Sequence, residues 1–443
     1  FLISALVLAF VYSFLIPPFC VPDERAHIDA VYTISNEMLG INEIPASGRI
    51  YKRADDIDAT KENTMDVTTE RYRETFENIF GKSADETLQV AYADNPVSNV
   101  TFLNYLPAAF GFTIARLLHF NTMTMIMFGR WMNALASILL MWIAIRKLPF
   151  GKASFAVFGL FPIILQQIAS CSYDGILLGA MFVYFAYAFS LMYSKQKSIF
   201  DFEIMLMTGG FAAAACKGGV YIPLLGLILL VCWEIGNNLK EKIGWTLGAA
   251  IPVGMVFVGQ FSQKIWGMLV RTSGSAYRSG VELYNLLDLL HEPNKLVRIY
   301  QNTVNLLGDS YIQESIGGKL GRLNVYIPWY IMIAFLLLVV LSTVTQEGEK
   351  SYIRKGQRCF IVLISCISAG LVMLSMLLAW TQNTYNYIIG VQGRYFLPAI
   401  GVLILSLGNN KIKLMNVRKE KMIQIAVLLN AIVCGFALLS VWR

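Results

Sequence analysis

Apolar blocks with few or no charges recur along the chain at 1–18, 123–145, 153–170, 174–193, 244–261, 326–345, 359–380, 393–409 and 422–441. Each runs for roughly fifteen to twenty-three residues, the length that carries an α-helix across about 30 Å of hydrocarbon. Lipid offers no hydrogen bonds to the backbone, so such blocks predict helices. A longer block, 202–233, is interrupted by Lys217-Gly218-Gly219 and reads as two short helices meeting at that break. The pattern therefore predicts an all-α polytopic membrane protein of about eleven spans.

The polar stretches between the blocks set the expected topology. Five short clusters are basic: Arg146, Lys147 and Lys152; Lys195 and Lys197; Lys240 and Lys242; Lys350, Arg354, Lys355 and Arg358; and Lys411, Lys413, Arg418, Lys419 and Lys421. Basic loops favour the cytoplasm. All five fall there if the spans alternate from an inside N-terminus and segment 102–118 does not cross. That segment is short and carries Pro107, Arg116 and His119, which suits a helix in the outer interface. Two long segments then face outside. Residues 20–100 hold 16 Asp+Glu against 8 Lys+Arg, a net charge of −8, and are expected to fold as a small helical cap. Residues 262–325 contain the amphipathic runs VELYNLLDLL and NKLVRIYQNTVNLL, which predict surface helices. The expected organisation is a first span at 1–19, an outer loop with interfacial helices at 20–122, spans over 123–261, a second outer loop at 262–325 and C-terminal spans over 326–443.

Composition agrees with a membrane class. The chain is 56% hydrophobic and 15% charged, against about a quarter charged for a soluble domain. Its net charge of +7 lies in the short basic clusters, so it reads as topology and predicts no nucleic-acid partner. The chain begins with Phe1, so a native start upstream is expected, and the uncharged first block reads as a retained span rather than a cleaved signal. Seven Cys without CxxC spacing and three His argue against a structural zinc site or a disulfide framework, though a Cys20–Cys171 bridge stays open.

On this topology several ionisable groups reach one membrane boundary. Asp23, Glu24 and His27 lie in VPDERAH, directly after the first span; Asp174 lies in QQIASCSYDG; Lys217 sits at the Gly-Gly break; Arg394 and Tyr395 open a late span in VQGRYFLP. Charges at such depth are costly unless they line a wet or ligand-filled cavity. Each also has a plainer reading. Asp23, Glu24 and Asp174 could cap helix N-termini, Lys217 and Arg394 could snorkel to the interface, and His27 could make a local hydrogen bond to Asp23. The conjunction suits one chemistry: a carboxylate takes a proton from an acceptor hydroxyl while Lys and Arg hold a lipid phosphate.

The chain resembles the GT-C superfamily of membrane glycosyltransferases, and more closely a bacterial multi-spanning branch catalogued as a domain of unknown function. The pieces that carry the resemblance are PDERAH, YLPAAFGFTIARLL, GRWMNALASILLMWIAIRKL, FPIILQQIASCSYDG, ACKGG and GRYFLP, in order from residue 17 to 398. The resemblance implies a bundle in which two extracytoplasmic loops cap a cavity. It implies Asp23 as catalytic base with Glu24 and His27 in support, Asp174 as the second acidic position, and Arg394, Tyr395 and Lys217 at the lipid phosphate. Some members bridge the two acidic sites with a divalent metal. Here Ser-Tyr-Asp-Gly-Ile lacks the further acid of metal-using members, so no cofactor and no metal is expected. The expected activity is inverting transfer of a sugar from a polyprenyl-phosphate donor to a cell-envelope glycan or lipid-linked acceptor, at the outer face of a bacterial plasma membrane. A polymerase or ligase using a lipid-pyrophosphate donor, and a lipid or solute transporter, are the alternatives.

Overall fold

At the centre of the molecule lies a helix with no polar face. Helix α9, Asp174–Tyr193, is apolar all round and almost wholly buried, the pattern of a helix enclosed by others. The computed structural model describes residues 1–41, 48–60, 66–93, 102–194, 198–215, 219–251, 277–278, 280–345, 353–413 and 418–442. In chain order the helices before α9 are α1 (Leu2–Leu15), α2 (Glu24–Met38), α3 (Ala54–Thr60), α4 (Thr69–Asn78), α5 (Leu106–Leu117), α6 (Thr122–Lys147), α7 (Lys152–Phe158) and α8 (Pro162–Ile168). After it come α10 (Ile199–Ala215), α11 (Ile222–Leu225), α12 (Leu227–Ile235), α13 (Leu286–His291), α14 (Pro293–Ile316), α15 (Trp329–Ser342), α16 (Lys355–Ala379), α17 (Leu397–Ser406) and α18 (Lys419–Val441). A helical stretch over 239–251 lies in the expected block 244–261, whose remainder is outside the described residues.

Among the described residues four helices are long and apolar enough to cross a membrane: α6, α9, α16 and α18. The blocks at 1–18, 326–345 and 393–409 form shorter apolar helices. The block at 153–170 departs from the expected single span. It is two seven-residue helices, α7 and α8, separated at Gly159–Phe161. Pro162 is the cause, since it cannot donate to the preceding turn and biases the residue before it away from helix. Residues 153–173 are all buried, so protein rather than lipid surrounds the break. Asn430 of α18 donates to Leu160 O at 2.9 Å, and its own amide oxygen accepts from Tyr12 of α1 at 2.8 Å. One buried amide thus satisfies the break and joins three elements.

The acidic first loop is a structured cap. Strand β1, Arg49–Arg53, pairs antiparallel with β2, Leu88–Tyr92, beside α2, α3 and α4. Buried ion pairs fix it: Lys52 to Asp29 at 2.6 Å and Arg53 to Asp56 at 2.8 Å. Asp56 also accepts from Tyr32 and from Thr122 at the start of α6, each at 2.7 Å. The cap is therefore bonded to the bundle by its own charges.

Helix α5, expected at the interface, has twelve residues and packs between α2 and α6. Its contact with α6 is backbone-close. A Cβ at Gly111 would sit 2.4 Å from Phe128 O, and one at Gly129 would strike the Phe112 ring. Gly111→Ala should therefore force the helices apart at a cost of about 1–3 kcal/mol. A lowered midpoint in detergent unfolding is the readout, and an unchanged midpoint would refute the close packing.

Candidate functional site

Two adjacent acids at the start of α2 take opposite roles. Glu24 turns inward. Its side chain and that of Arg130, from the middle of α6, are 0% exposed and paired at 2.5 Å. Arg130 Nε donates to Glu24 Oε1 and Nη2 to Oε2, the bidentate geometry that a guanidinium fork allows. Its other donors go to the carbonyls of Ser13, Ile16 and Pro17, so all five N–H groups are used. Glu24 also accepts from the amides of Phe19 and Cys171. Glu24, expected to support catalysis, is thus a fully enclosed carboxylate whose four donors hold the turn together.

Asp23 turns outward. Its backbone is left-handed, φ 62°, a conformation that Asp, Asn and Gly adopt with least strain. The side chain is 55% exposed, and one oxygen accepts from Arg394 Nη2 at 2.7 Å. Arg394 itself is 2% exposed and lies 3.4 Å from Asp174 through Nη1. The guanidinium thus joins residues 23, 174 and 394, the positions that the sequence motifs single out.

Each of these is placed by a neighbour that is itself held. Asn133, three residues after Arg130 on the same face of α6, donates to the carbonyls of Ser170 and Ser172 at 2.7 and 2.9 Å. This fixes the turn that ends in Asp174. Arg394 lies in a short 3-10 turn, Gly393–Phe396, pressed against α14. A Cβ at Gly393 would sit 2.5 Å from Ser315 N, which explains glycine at the first position of GRYFLP. Glu314 accepts from Gly393 N at 2.9 Å, and Ser315 Oγ donates to its carbonyl at 3.0 Å. Tyr221 donates to Tyr395 O at 3.0 Å, and the Arg394 guanidinium lies 5.1 Å from the centre of the Tyr395 ring.

Gln167, which sequence reasoning missed, completes the polar set. Its Oε1 accepts from Arg394 Nη1 at 3.3 Å. Gln167 Nε2 and Arg394 Nε are buried and have no hydrogen-bond partner among the described residues. Buried donors without acceptors are costly, about 1–3 kcal/mol each. Two of them side by side mark a place where an oxygen-rich group would be welcome.

His27 sits behind this set. Its Nδ1 lies 2.9 Å from Tyr105 OH, and its ring packs edge-on against Tyr173 at 5.3 Å. Tyr105 is thus a partner of the ring, while the His27 backbone N–H donates to Asp23 O at 3.2 Å. Lys217 lies outside the described residues. Cys20 and Cys171 are both free: Cys20 points to Asp66 O and Cys171 to Ile126 O. Burial pushes the Cys20 thiol up to about 12. Among the described residues no three His, Cys, Asp or Glu converge as a metal-ligand group.

A family profile described as predicted membrane protein (DUF2142) matches residues 6–403, nearly the whole chain and all of the site. The chain belongs to that family. No curated protein and no solved structure matches it. In this DUF2142 protein the matched region spans the Glu24–Arg130 pair and the Asp23–Arg394 contact alike.

The two acids should separate on mutation. Glu24→Gln leaves the buried Arg130 charge without its partner and should destabilise the fold by about 3–5 kcal/mol. Asp23→Asn, at an exposed position that Asn tolerates, should leave stability nearly unchanged. Chemical unfolding of both variants in the same detergent checks the contrast, and equal losses would contradict the assignment of Glu24 to the scaffold.

Proposed function

We propose that the chain is an inverting glycosyltransferase of the GT-C type. It has about eleven spans in a bacterial plasma membrane and a site that faces outside. Its donor is a sugar on a polyprenyl phosphate, and its acceptor is a cell-envelope glycan or a lipid-linked glycan. The observation that carries this reading is the pair of buried donors, Arg394 Nε and Gln167 Nε2, beside the exposed carboxylate of Asp23. Donors for an anion next to a base are what transfer from a phosphate donor requires.

The steps follow from those positions. Asp23 takes the proton of the acceptor hydroxyl. The acceptor oxygen bonds to the anomeric carbon from the face opposite the phosphate, which inverts the configuration. The bond from that carbon to the phosphate oxygen breaks, and the electron pair leaves with the polyprenyl phosphate. Arg394 and Gln167 hold the departing charge by hydrogen bonds, with Tyr395 bordering the guanidinium. Asp174 keeps Arg394 oriented. His27, through Tyr105, supports the floor beneath Asp23. On this reading the positive charge at the phosphate comes from Arg394, with Lys217 as a further candidate, and no metal is assigned.

The test is turnover in nanodiscs with a panel of radiolabelled polyprenyl-phosphate sugars and membranes of the source organism as acceptor. Asp23→Asn should lower transfer by about 10²–10⁴-fold while the lipid still binds. Arg394→Lys, which loses the planar fork, should weaken donor binding as well as turnover. Retained transfer by a folded Asp23→Asn protein would move the assignment to a ligase that takes a lipid pyrophosphate and needs no carboxylate. Saturable lipid binding without transfer from any donor would favour a transporter.

A further inference from the structure

Helices α1 and α18 meet at the Tyr12–Asn430 bond. One turn further along both helices they are separated by a cavity of about 530 Å³, roofed by α4 of the cap. Its volume falls in the range of small-molecule sites. Phe14 and Leu15 of α1, Leu438 and Val441 of α18, and Tyr72 and Phe76 of α4 line it. The polar end of Tyr72 is turned away, donating to Leu15 O, and Phe76 stacks on Phe14 with ring centres 5.6 Å apart. No lining residue belongs to the candidate site.

We propose that this groove binds an acyl chain of a membrane phospholipid whose phosphate rests at Arg73. The walls decide the occupant. Helix α18 is long and apolar enough to cross a membrane, and α1 is apolar throughout, so the phase around the groove is hydrocarbon. This step rests on reading α1 as a span. The rim supplies the headgroup contact. Arg73 lines the groove beside the Thr69 hydroxyl, and its side chain is 75% exposed. Its ion pair among the described residues is with Glu77 at 3.3 Å, of the exposed kind that contributes little. A phosphate makes stronger, charge-assisted bonds to such a guanidinium. Trp442, at the end of α18, lines the same groove and is the residue type that settles at the bilayer boundary. The site would tie the cap to two membrane helices through a lipid.

The experiment is photolabelling of the intact protein in nanodiscs made of phosphatidylethanolamine and phosphatidylglycerol. One component carries a diazirine in its acyl chain, and the label is mapped by mass spectrometry. The proposal expects label concentrated on residues 69–76 and 434–442, above that on Val362 and Leu363, the exposed face of α16. Leu438→Trp fills the groove and should reduce its label about tenfold while leaving α16 unchanged. Cys434→Phe fills it from the neighbouring turn and serves if the first variant does not fold. Arg73→Glu should lower the label by repelling the phosphate. Groove label no higher than on α16, or indifferent to both filling variants, overturns the proposal. Loss of label on adding unlabelled polyprenyl phosphate also overturns it, since the occupant would then be the donor's tail. Absence of label from the groove and α16 alike would reject the membrane placement itself, whereas the transfer assay with Asp23→Asn is independent of every arm.

Discussion

Much of the site hangs on one ion pair that solvent does not reach. Arg130 and Glu24 are both shut away from solvent, and a charge in that position is tolerable only when every donor and acceptor is used. Together they bind the end of α1, the turn after it, the start of α2, the middle of α6 and the turn before α9. Asp23 stands outside because Glu24 is held inside. Asp174 begins the central helix at a turn that Cys171 ties to the same carboxylate. An apolar pair of equal volume could fill the space, but it would leave the carbonyls of Ser13 and Ile16 without the donors Arg130 supplies, and Pro17 O with Cys20 N alone.

Arg394 is held differently. Its backbone is clasped by α14, from the far side of the molecule, while its guanidinium is shared by two carboxylates and an amide oxygen. The cation is buried and one of its acids is mostly exposed. That asymmetry leaves the positive charge fixed and lets the negative charge meet solvent. Two long segments between apolar blocks therefore reach the same residue, the first through Asp23 and the second through Glu314 and Ser315 at Gly393. On the proposed reading, acceptor and donor approach from these two sides.

Much of this was legible in the sequence. Long apolar blocks announce α6, α9, α16 and α18 directly, because lipid and protein cores demand the same composition. The block at 153–170 misled because an enclosed pair of short helices is as apolar as a span; Pro162 was the signal. Arg130 was missed, although a lone arginine inside the otherwise uncharged block 123–145 was a signal, since an unpaired charge there is prohibitive. Its partner was not so marked, since nothing local separates Glu24 from Asp23. Their division depends on a single left-handed residue, and backbone sign is invisible to composition. Gln167 carried no signal, because one of two adjacent glutamines in a buried stretch shows which faces the site only once the chain has folded. Its neighbour Gln166 instead accepts from Gly321 N at 2.8 Å.

The left-handed residue has a consequence for which sequences can persist there. A positive φ of this size is held without much strain by glycine, asparagine and aspartate. Of those three, aspartate alone carries a negative charge. Shape and charge, each permissive by itself, overlap in one residue type. Glutamate, the nearest chemical substitute, has no such preference for this backbone and brings a longer side chain. Aspartate is therefore the residue that meets both demands at position 23 with least strain, while asparagine or glycine would keep the turn and give up the charge.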